Sequence, residues 1–331
     1  MIDLIIPVYN AEDTIGRALG SIVAQTKPRK FLVTVVDDCS TDATAAVVQK
    51  FKGLIPLQYV KLEKNLGKPG LVRQEGIKRT SCPYIMFLDA DDLLEPTAGE
   101  LMSRVVTQHK IDFVVGNFLK ESVATKEEET YEIYGKNAMT WLHGNVYSRK
   151  FLEDNEIEFD DKFNEDGSFN FKCINLSNNI KYIDRPISYW MNNRKSITRS
   201  DNKFLLNISS DYIQTYSDAI EFVLNKKPSL AERLDFQAKV GCKLGEFLEF
   251  YDANLFYDVS MSTIKELLTK IQNFVTMLKT NNLITKEMLS ACNERLNTYR
   301  FFTSIIRQLN VMGIYELIDI DYKGVMIWTN L

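Results

Sequence analysis

The hydrophobic positions of the first hundred residues alternate between two periods. Short, near-continuous apolar runs occur at 3–8, 31–36, 57–61, 84–88 and 113–116, and their length is that of strands. Between them the apolar residues recur at helical spacing. Residues 11–26 put Ile15, Leu19, Ile22 and Val23 on one face, and Thr41 or Asp42 caps a segment running through Val47 and Val48 to Phe51. Pro69 suits the opening of a helix that runs to about Arg79, and a further helix spans 97–108 after Pro96. Strand and helix in alternation, with strands apolar on both faces, predict an α/β fold whose mostly parallel sheet is flanked by helices.

The pattern changes down the chain. Residues 122–134 are polar and acidic (Glu127, Glu128, Glu129), as in an exposed loop or edge hairpin, and 141–199 is dense in aromatics. Beyond Lys203 the period is purely helical: Ile213, Tyr216, Ile220 and Val223 form one stripe, and Ile264, Leu267, Leu268, Ile271, Val275 and Leu278 form another after a cap at Ser260 or Ser262. Met288, Cys292, Leu296 and Tyr299 continue the pattern toward Ile305 and Ile306. The division is therefore an α/β unit over 1–202 and an all-helical unit over 203–331, with charges of both signs interspersed along the latter.

Composition narrows the chemistry. The 331 residues are 45% hydrophobic and 25% charged, which suits a globular core and excludes disordered, collagenous and disulfide-rich classes. Forty Lys and Arg against 44 Asp and Glu leave a net charge of -4, too balanced for a protein that coats nucleic acid. With two histidines, His109 and His143, there is little material for a histidine metal cage or a Ser-His-Asp triad, so carboxylates carry the chemistry. Five dispersed cysteines without a CxxC pair read as reduced thiols. No apolar run approaches the length of a membrane span, and Met1 leads directly into a core strand, with no basic n-region and no cleavage site. The expected location is the cytoplasm, either free or peripheral at the inner face of the membrane.

In a sheet of this kind ligands bind beyond the carboxyl ends of the strands. Three strands end there in polar residues: Pro7-Val8-Tyr9-Asn10, Asp37-Asp38, and Asp89-Ala90-Asp91-Asp92. Two acids one residue apart at a strand end repel each other unless a cation intervenes, and oxygen ligands favour Mg2+ or Mn2+. A solvated turn, with Asp92 as a helix cap, is the competing reading of Asp89-Ala90-Asp91. Asp37 and Asp38 have the chemistry to accept hydrogen bonds from a nucleobase or a ribose, while Thr41 or Asp42 suffices for capping.

Together these stretches resemble the family 2 glycosyltransferases of the GT-A fold. The resemblance rests on 7–10, on 36–42, on Asn65-Leu66-Gly67 with Arg73, and on 87–92. It continues through a second block at 144–152, 164–169, Tyr189-Trp190 and 194–196, and so covers roughly the first 200 residues. It implies that Asp38, with Asp37, contacts the base and ribose of a nucleotide-sugar donor, usually a UDP-sugar, and that Pro7, Tyr9 and Ala90 line the donor, Tyr9 over the base. Asp91, supported by Asp89, would hold a divalent metal, Mn2+ or Mg2+, bridging the diphosphate. Arg73 and Arg194 would meet the phosphates or ribose, and Asp166 would be the catalytic base of an inverting transfer. The local alternative for Asp166 is a cap on a helix starting at Phe169. Cys39 stands where the family usually has Gly, a change without cost unless the turn demands a positive φ. Asn145 stands where Lys is common, Gln74 where Asn is frequent, and Lys68-Pro69-Gly70 is an unusual helix entry.

The function expected is metal-dependent transfer of a sugar to an acceptor hydroxyl. A nucleotidyltransferase ranks lower, because the loop Tyr9-Asn10-Ala11-Glu12-Asp13 lacks glycine and a cation. A non-catalytic sugar-nucleotide-binding scaffold is the non-enzymatic alternative. Polysaccharide, lipid-linked sugar, protein and a hydroxylated DNA base all remain open as acceptor, with nucleic acid disfavoured. Trp141, His143, Tyr147, Tyr189 and Trp190 are aromatics able to stack on sugars, with core or rim packing as the default and with His143 read as a surface residue or an acceptor-orienting one. The helical unit is expected to serve the acceptor side or a homo-oligomer interface.

Overall fold

The core strand β1 (Ile2–Val8) is apolar but for Asp3, which is buried and paired with Arg149 at 3.0 Å. In this computed structural model, which describes residues 1–108, 110–122, 130–134, 141–162, 164–193, 202–256, 260–297, 319–320 and 326–327, the chain divides into two compact units, Met1–Ser196 and Ile197–Leu331. Ile2, Leu4, Ile6 and Val8 of β1 pack with Ile15, Ala18, Leu19 and Ile22 of α1 (Ile15–Val23) in the main hydrophobic core. Ile5 points the other way. It meets Gly76 of α3 (Pro69–Lys78), where a Cβ would lie 2.4 Å from the Ile5 side chain. This alternation is the period of two of a buried strand.

Next to β1 lie β2 (Phe31–Asp37) and then β3 (Leu57–Lys61), with α2 (Thr44–Gln49) between them in the chain. On the other side of β1 comes β4 (Tyr84–Phe87), followed in the chain by the short β5 (Leu93–Leu94) and α4 (Ala98–Gln108). The order β3-β2-β1-β4 is all parallel, so the chain reverses its direction of travel between β1 and β4. That reversal opens a crevice beyond the strand ends.

The other half of the sheet differs from a parallel pattern. β6 (Phe113–Ser122), β7 (Thr130–Tyr134), β8 (Asn145–Ser148) and β9 (Ile180–Trp190) extend it as β4-β8-β6-β9, with β5 closing the path on β9. β8 is antiparallel to β4 and to β6, β7 forms an antiparallel hairpin with β6, and β9 runs parallel to β6 with a register shift at Gly116 to Phe118. The sheet is therefore mixed. Apolar runs announce strands without announcing their direction, which the connections decide. α5 (Arg149–Asp154) and α6 (Glu165–Leu176) complete this unit.

The second unit is helical as expected, with α7 (Asn202–Lys226), α8 (Leu234–Phe256), α9 (Met261–Thr280) and α10 (Lys286–Asn297). Ile213, Ile220, Val223, Leu267, Ile271 and Leu278 are all buried, as their spacing required. Ser260 caps α9 by accepting the Thr263 N–H at 3.2 Å. Gly241 lets α8 lie against α10, since a Cβ there would come within 2.0 Å of the Met288 carbonyl. Two short strands, β10 (Asp319–Ile320) and β11 (Met326–Ile327), pair antiparallel further on. The helical pattern anticipated at Tyr299, Ile305 and Ile306, the Glu127–Glu129 run and His109 fall outside the described residues. Among those described, no helix is long and apolar enough to cross a membrane.

Candidate active site

The carboxyl ends of β1 and β2 are locked together. Asp37 closes β2, fully buried; its Oδ1 accepts the Ser40 N–H at 2.6 Å and its other oxygen accepts from the Tyr59 hydroxyl. Burial and this carboxylate both push the Tyr59 phenol above its ordinary range. Asp38 accepts the N–H groups of Leu66 at 2.6 Å and Gly67 at 2.9 Å, one on each oxygen. Both acids thus shape the crevice by holding the turn after β2 and the loop at 65–67. Their remaining lone pairs are what a ligand could use. Asn10 ties the two loops, its N–H bonded to Ser40 Oγ at 2.9 Å and its Oδ1 to the Thr41 N–H at 2.9 Å. Tyr9 stands beside them 53% exposed, an aromatic face left open at the strand end. Pro7 is half-buried within β1. Cys39 adopts φ 64, so the turn does demand a left-handed residue, and the cysteine occupies it with its thiol donating to the Leu62 carbonyl at 3.0 Å.

The segment after β4 carries the second set. Ala90 is half-buried against the core. Asp91 is held by Asn193, whose Nδ2 donates to Oδ2 at 2.9 Å; burial, and then the neighbouring Asp89, push its carboxyl up. Asp92 is more than a cap. It is 1% exposed, accepts the Met191 N–H at 2.9 Å, and lies 2.9 Å from His143 Nε2. Burial pushes the Asp92 carboxyl up to about 6 although His143 pulls it down. Burial opposes a charged His143, but Asp92 outweighs it and the imidazole titrates above its usual value. The buried Nδ1 of His143 has no hydrogen-bond partner among the described residues. Among those residues, ligand atoms of Asp89, Asp92 and His143 all lie within 4.8 Å of one another. Two carboxylates and an imidazole, one of its nitrogens unsatisfied, fit a divalent cation such as Mn2+.

Arg73 joins this segment to α6. It is buried, donating from one terminal nitrogen to Asp89 Oδ1 at 2.6 Å and from the other to Glu165 Oε1 at 2.9 Å. Burial works against its charge, and Asp89 and Glu165 more than restore it. In return, Arg73 overcomes the effect of burial on Asp89 and holds that carboxyl below its usual range. Three acids crowd this one guanidinium. Burial and Asp166 together push Glu165 up to about 7, against the pull of Arg73. Asp166 is raised as well, by burial and by Asp89, while Arg73 and the Gly167 N–H at 2.7 Å work the other way. Both acids lie in the first turn of α6, whose N-cap Asn164 adopts φ 65, so the helix begins before Asp166 and not at Phe169. The close approach is made possible by Gly70, where a Cβ would lie 2.4 Å from Glu165 Cγ.

Of the residues singled out from sequence, Asp89, Arg73 and Asp166 are brought together, with Asp91 at their edge; Tyr9, Asp37 and Asp38 form the end over β1 and β2. Arg194 lies outside the described residues. Glu165, Asp92 and His143 were not expected in these roles. Their partners are 92 and 51 residues away, too far for spacing to reveal. Tyr147 is fully buried and Asn145 is 1% exposed, donating to the Trp141 carbonyl at 2.8 Å, so both belong to the interior. Gln74 accepts the Phe159 N–H at 3.2 Å.

The sequence model described as glycosyl transferase family 2 matches residues 3–168, half of the chain. The chain belongs to this family. TarS of Staphylococcus aureus, named as a poly(ribitol-phosphate) beta-N-acetylglucosaminyltransferase, is 27% identical over 203 residues, 58% of this chain and 35% of that protein. TarP of the same species, of the same named activity, is 24% identical over 252 residues, 70% of this chain and 76% of that protein. The chain therefore spans about a third of the length of TarS (35%) and about three quarters of TarP (76%). The crystal structure of S. aureus TarS 1-349 superposes with a TM-score of 0.71 at 21% identity, covering 99% of this chain and 96% of that one. The same TarS fragment in complex with UDP-GlcNAc gives a TM-score of 0.57 at 20% identity, covering 99% of this chain and 96% of that one. These likenesses establish the GT-A fold for the family member described here, and membership sets the nucleotidyltransferase reading aside.

Proposed function

We propose that the chain is a metal-dependent, inverting glycosyltransferase that moves a sugar from a UDP-sugar to an acceptor hydroxyl, with Asp166 as general base. The observation that carries this reading is the Arg73 bridge, which ties Asp89 on one side and the turn bearing Glu165 and Asp166 on the other into one site. The donor choice draws support from TarS, which is solved with UDP-GlcNAc. Tyr9 would cover the base, while Asp37 and Asp38 would hold the loops that receive base and ribose.

A divalent ion would be held by Asp89 with Asp91, and by Asp92 and His143, where it would neutralise charge developing on the leaving diphosphate. The chain's own residues do the rest. The acceptor oxygen bonds to the anomeric carbon as the bond from that carbon to the diphosphate oxygen breaks. The electron pair leaves with the nucleoside diphosphate, and the acceptor proton passes to the Asp166 carboxylate. An alcohol is too weak an acid to ionise first, so the base must act during attack. The raised pKa of Asp166 makes it a stronger acceptor of that proton than an ordinary aspartate. A single displacement from the face opposite the leaving group inverts the anomeric centre.

The test is Mn2+-dependent hydrolysis of UDP-GlcNAc, and its transfer to candidate acceptors, by wild type, Asp91→Ala and Asp166→Asn. Undiminished turnover in both variants would remove the assigned roles. For the helical unit, acceptor binding and self-association are the two duties we propose. Deletion of residues 203–331 with unchanged acceptor transfer and unchanged oligomeric state would exclude both.

A further inference from the structure

The aromatic wall beside Asp92 contains a lysine that the reading above leaves without a task. Lys120 of β6 is directly opposite Trp190 of β9, and its Nζ lies 4.8 Å from the centre of the Trp190 ring and 5.6 Å from that of Tyr134. Phe118, two residues earlier on the same strand face, forms the floor, with ring centroids between 5.0 and 6.2 Å from those of Tyr134, Trp141, His143 and Trp190. Phe118 is buried, whereas Lys120, Tyr134, Trp141 and Trp190 are each part exposed.

Lys120 makes no ion pair and no hydrogen bond among the described residues. Glu132, its neighbour across β7, instead accepts from the Tyr134 hydroxyl at 2.9 Å, and Glu121 accepts the Asn192 N–H at 2.6 Å. Ring faces attract an ammonium but give its N–H groups no acceptor. A cation so placed has an unfilled demand for an anion.

The wall lies beside the proposed transfer site. The Trp190 and His143 ring centroids are 5.3 Å apart, His143 Nε2 is 2.9 Å from Asp92, and the residue after Trp190 donates its N–H to Asp92. In the sheet, β1 and β2 lie to one side of β4, while β6 and β9 lie to the other. A donor whose nucleotide rests over β1 and β2 leaves the side of Lys120 and Trp190 to the acceptor.

We propose that Lys120 and the faces of Trp190 and Trp141 form an acceptor subsite that reads a phosphate carried on a polyol or saccharide. The rings receive the C–H face of the carbon chain, and the ammonium receives the phosphate as a point charge. The subsite rests on the transferase reading of the Asp89 to Asp166 site.

The test uses the full chain with Mn2+, with glucitol 6-phosphate and uncharged glucitol as probes and UDP as control, followed by calorimetry and tryptophan fluorescence. Glucitol 6-phosphate is expected to bind about tenfold or more tightly than glucitol, and alongside UDP. Lys120→Met is expected to weaken it about tenfold or more, and Lys120→Arg to keep it within about threefold of wild type, with thermal melts confirming that each variant is folded. Equal affinity for the two probes, wild-type affinity in Lys120→Met, or displacement of glucitol 6-phosphate by UDP would each overturn the proposal. Should UDP bind and glucitol 6-phosphate not, the subsite alone falls; should UDP itself fail to bind wild type, the transferase reading falls with it.

Discussion

Removing the charge of Arg73 is the sharpest perturbation that leaves every carboxylate of the site in place. Arg73→Met keeps the apolar stem near Phe159, whose ring centre lies 5.9 Å from the guanidinium carbon. The Arg73 side chain is 7% exposed and Glu165 13%, so solvent screens that bond little, and its loss costs about 2–3 kcal/mol. Asp89 is 38% exposed, so its share is smaller, about 1–1.5 kcal/mol. The total of about 3–4.5 kcal/mol agrees with the roughly 3–5 kcal/mol for deleting one partner of a buried pair, and applies at pH 8, where both acids are ionised. Acidification shrinks it. With its carboxyl pushed up to about 7, Glu165 is protonated at pH 5 in wild type as well, so the ionic part of its bond to Arg73 is already absent there. The sign follows from linkage: the substitution raises the folded pKa of the acids without changing the unfolded values, so the variant loses ground to wild type as pH rises. Only the Asp89 share, about 1–1.5 kcal/mol, is expected at pH 5. Urea unfolding at pH 5 and pH 8 measures this, followed by tryptophan fluorescence, since two of the three tryptophans, Trp141 and Trp190, lie in the first unit. A deficit equal at the two pH values, or larger at pH 5, would refute the reasoning.

Asp92→Asn removes a proposed oxygen ligand and the partner of His143, and Mn2+ affinity by calorimetry is expected to fall about 10–100-fold; unchanged affinity would take Asp92 out of the proposed metal site. Gly70→Ala trades at most about 1 kcal/mol of helix propensity against about 1–3 kcal/mol of overpacking on Glu165 Cγ and Cβ, atoms too near the backbone to swing aside. Its melting temperature is expected to fall by a few degrees, and a rise would show that α6 yields freely. Cys39→Gly relieves about 1–2 kcal/mol of left-handed strain and returns about 0.5–1 kcal/mol through a looser unfolded chain. A gain of up to about 1.5 kcal/mol in denaturant unfolding is expected, and a clear loss would mean that the thiol bond to Leu62 outweighs the strain.

Much of both units was legible because the signals are local. A strand at Leu57–Lys61, a helix opened by Pro69 and a cap at Ser260 each depend on a few adjacent residues, and the structure has them there. The acids at the ends of β2 and β4 could be placed on one edge because parallel strands bring their carboxyl ends together. Neither β8 nor its direction was legible, since only Val146 and Tyr147 of its four residues are apolar. Nor were the Arg73–Glu165 and His143–Asp92 contacts, which are made by tertiary packing between residues of unremarkable local sequence. Asp92 shows the consequence: beside a helix it reads as a cap, and only its placement under β9 turns it toward His143.

The acids of the edge fall into two kinds, and the division bears on how a donor could bind at all. Asp37 and Asp38 have every carboxylate oxygen engaged by a backbone N–H or a tyrosine hydroxyl, so their charge is held by the fold itself. Asp89, Asp91, Asp92, Glu165 and Asp166 are five carboxylates facing Arg73 and His143. Four of the five are raised above their ordinary pKa, burial being the first cause in each. A nucleoside diphosphate brings further negative charge to that place and would meet net repulsion. A divalent ion held there would offset part of that excess, and on the reading proposed above it would favour donor binding as well as departure of the diphosphate. On that reading UDP affinity at pH 8 is expected to collapse when EDTA is added and return with excess Mn2+. Equal affinity in the two solutions would mean that Arg73 and His143 suffice to admit the diphosphate, and that the carboxylates around Asp89 serve the fold and not an ion.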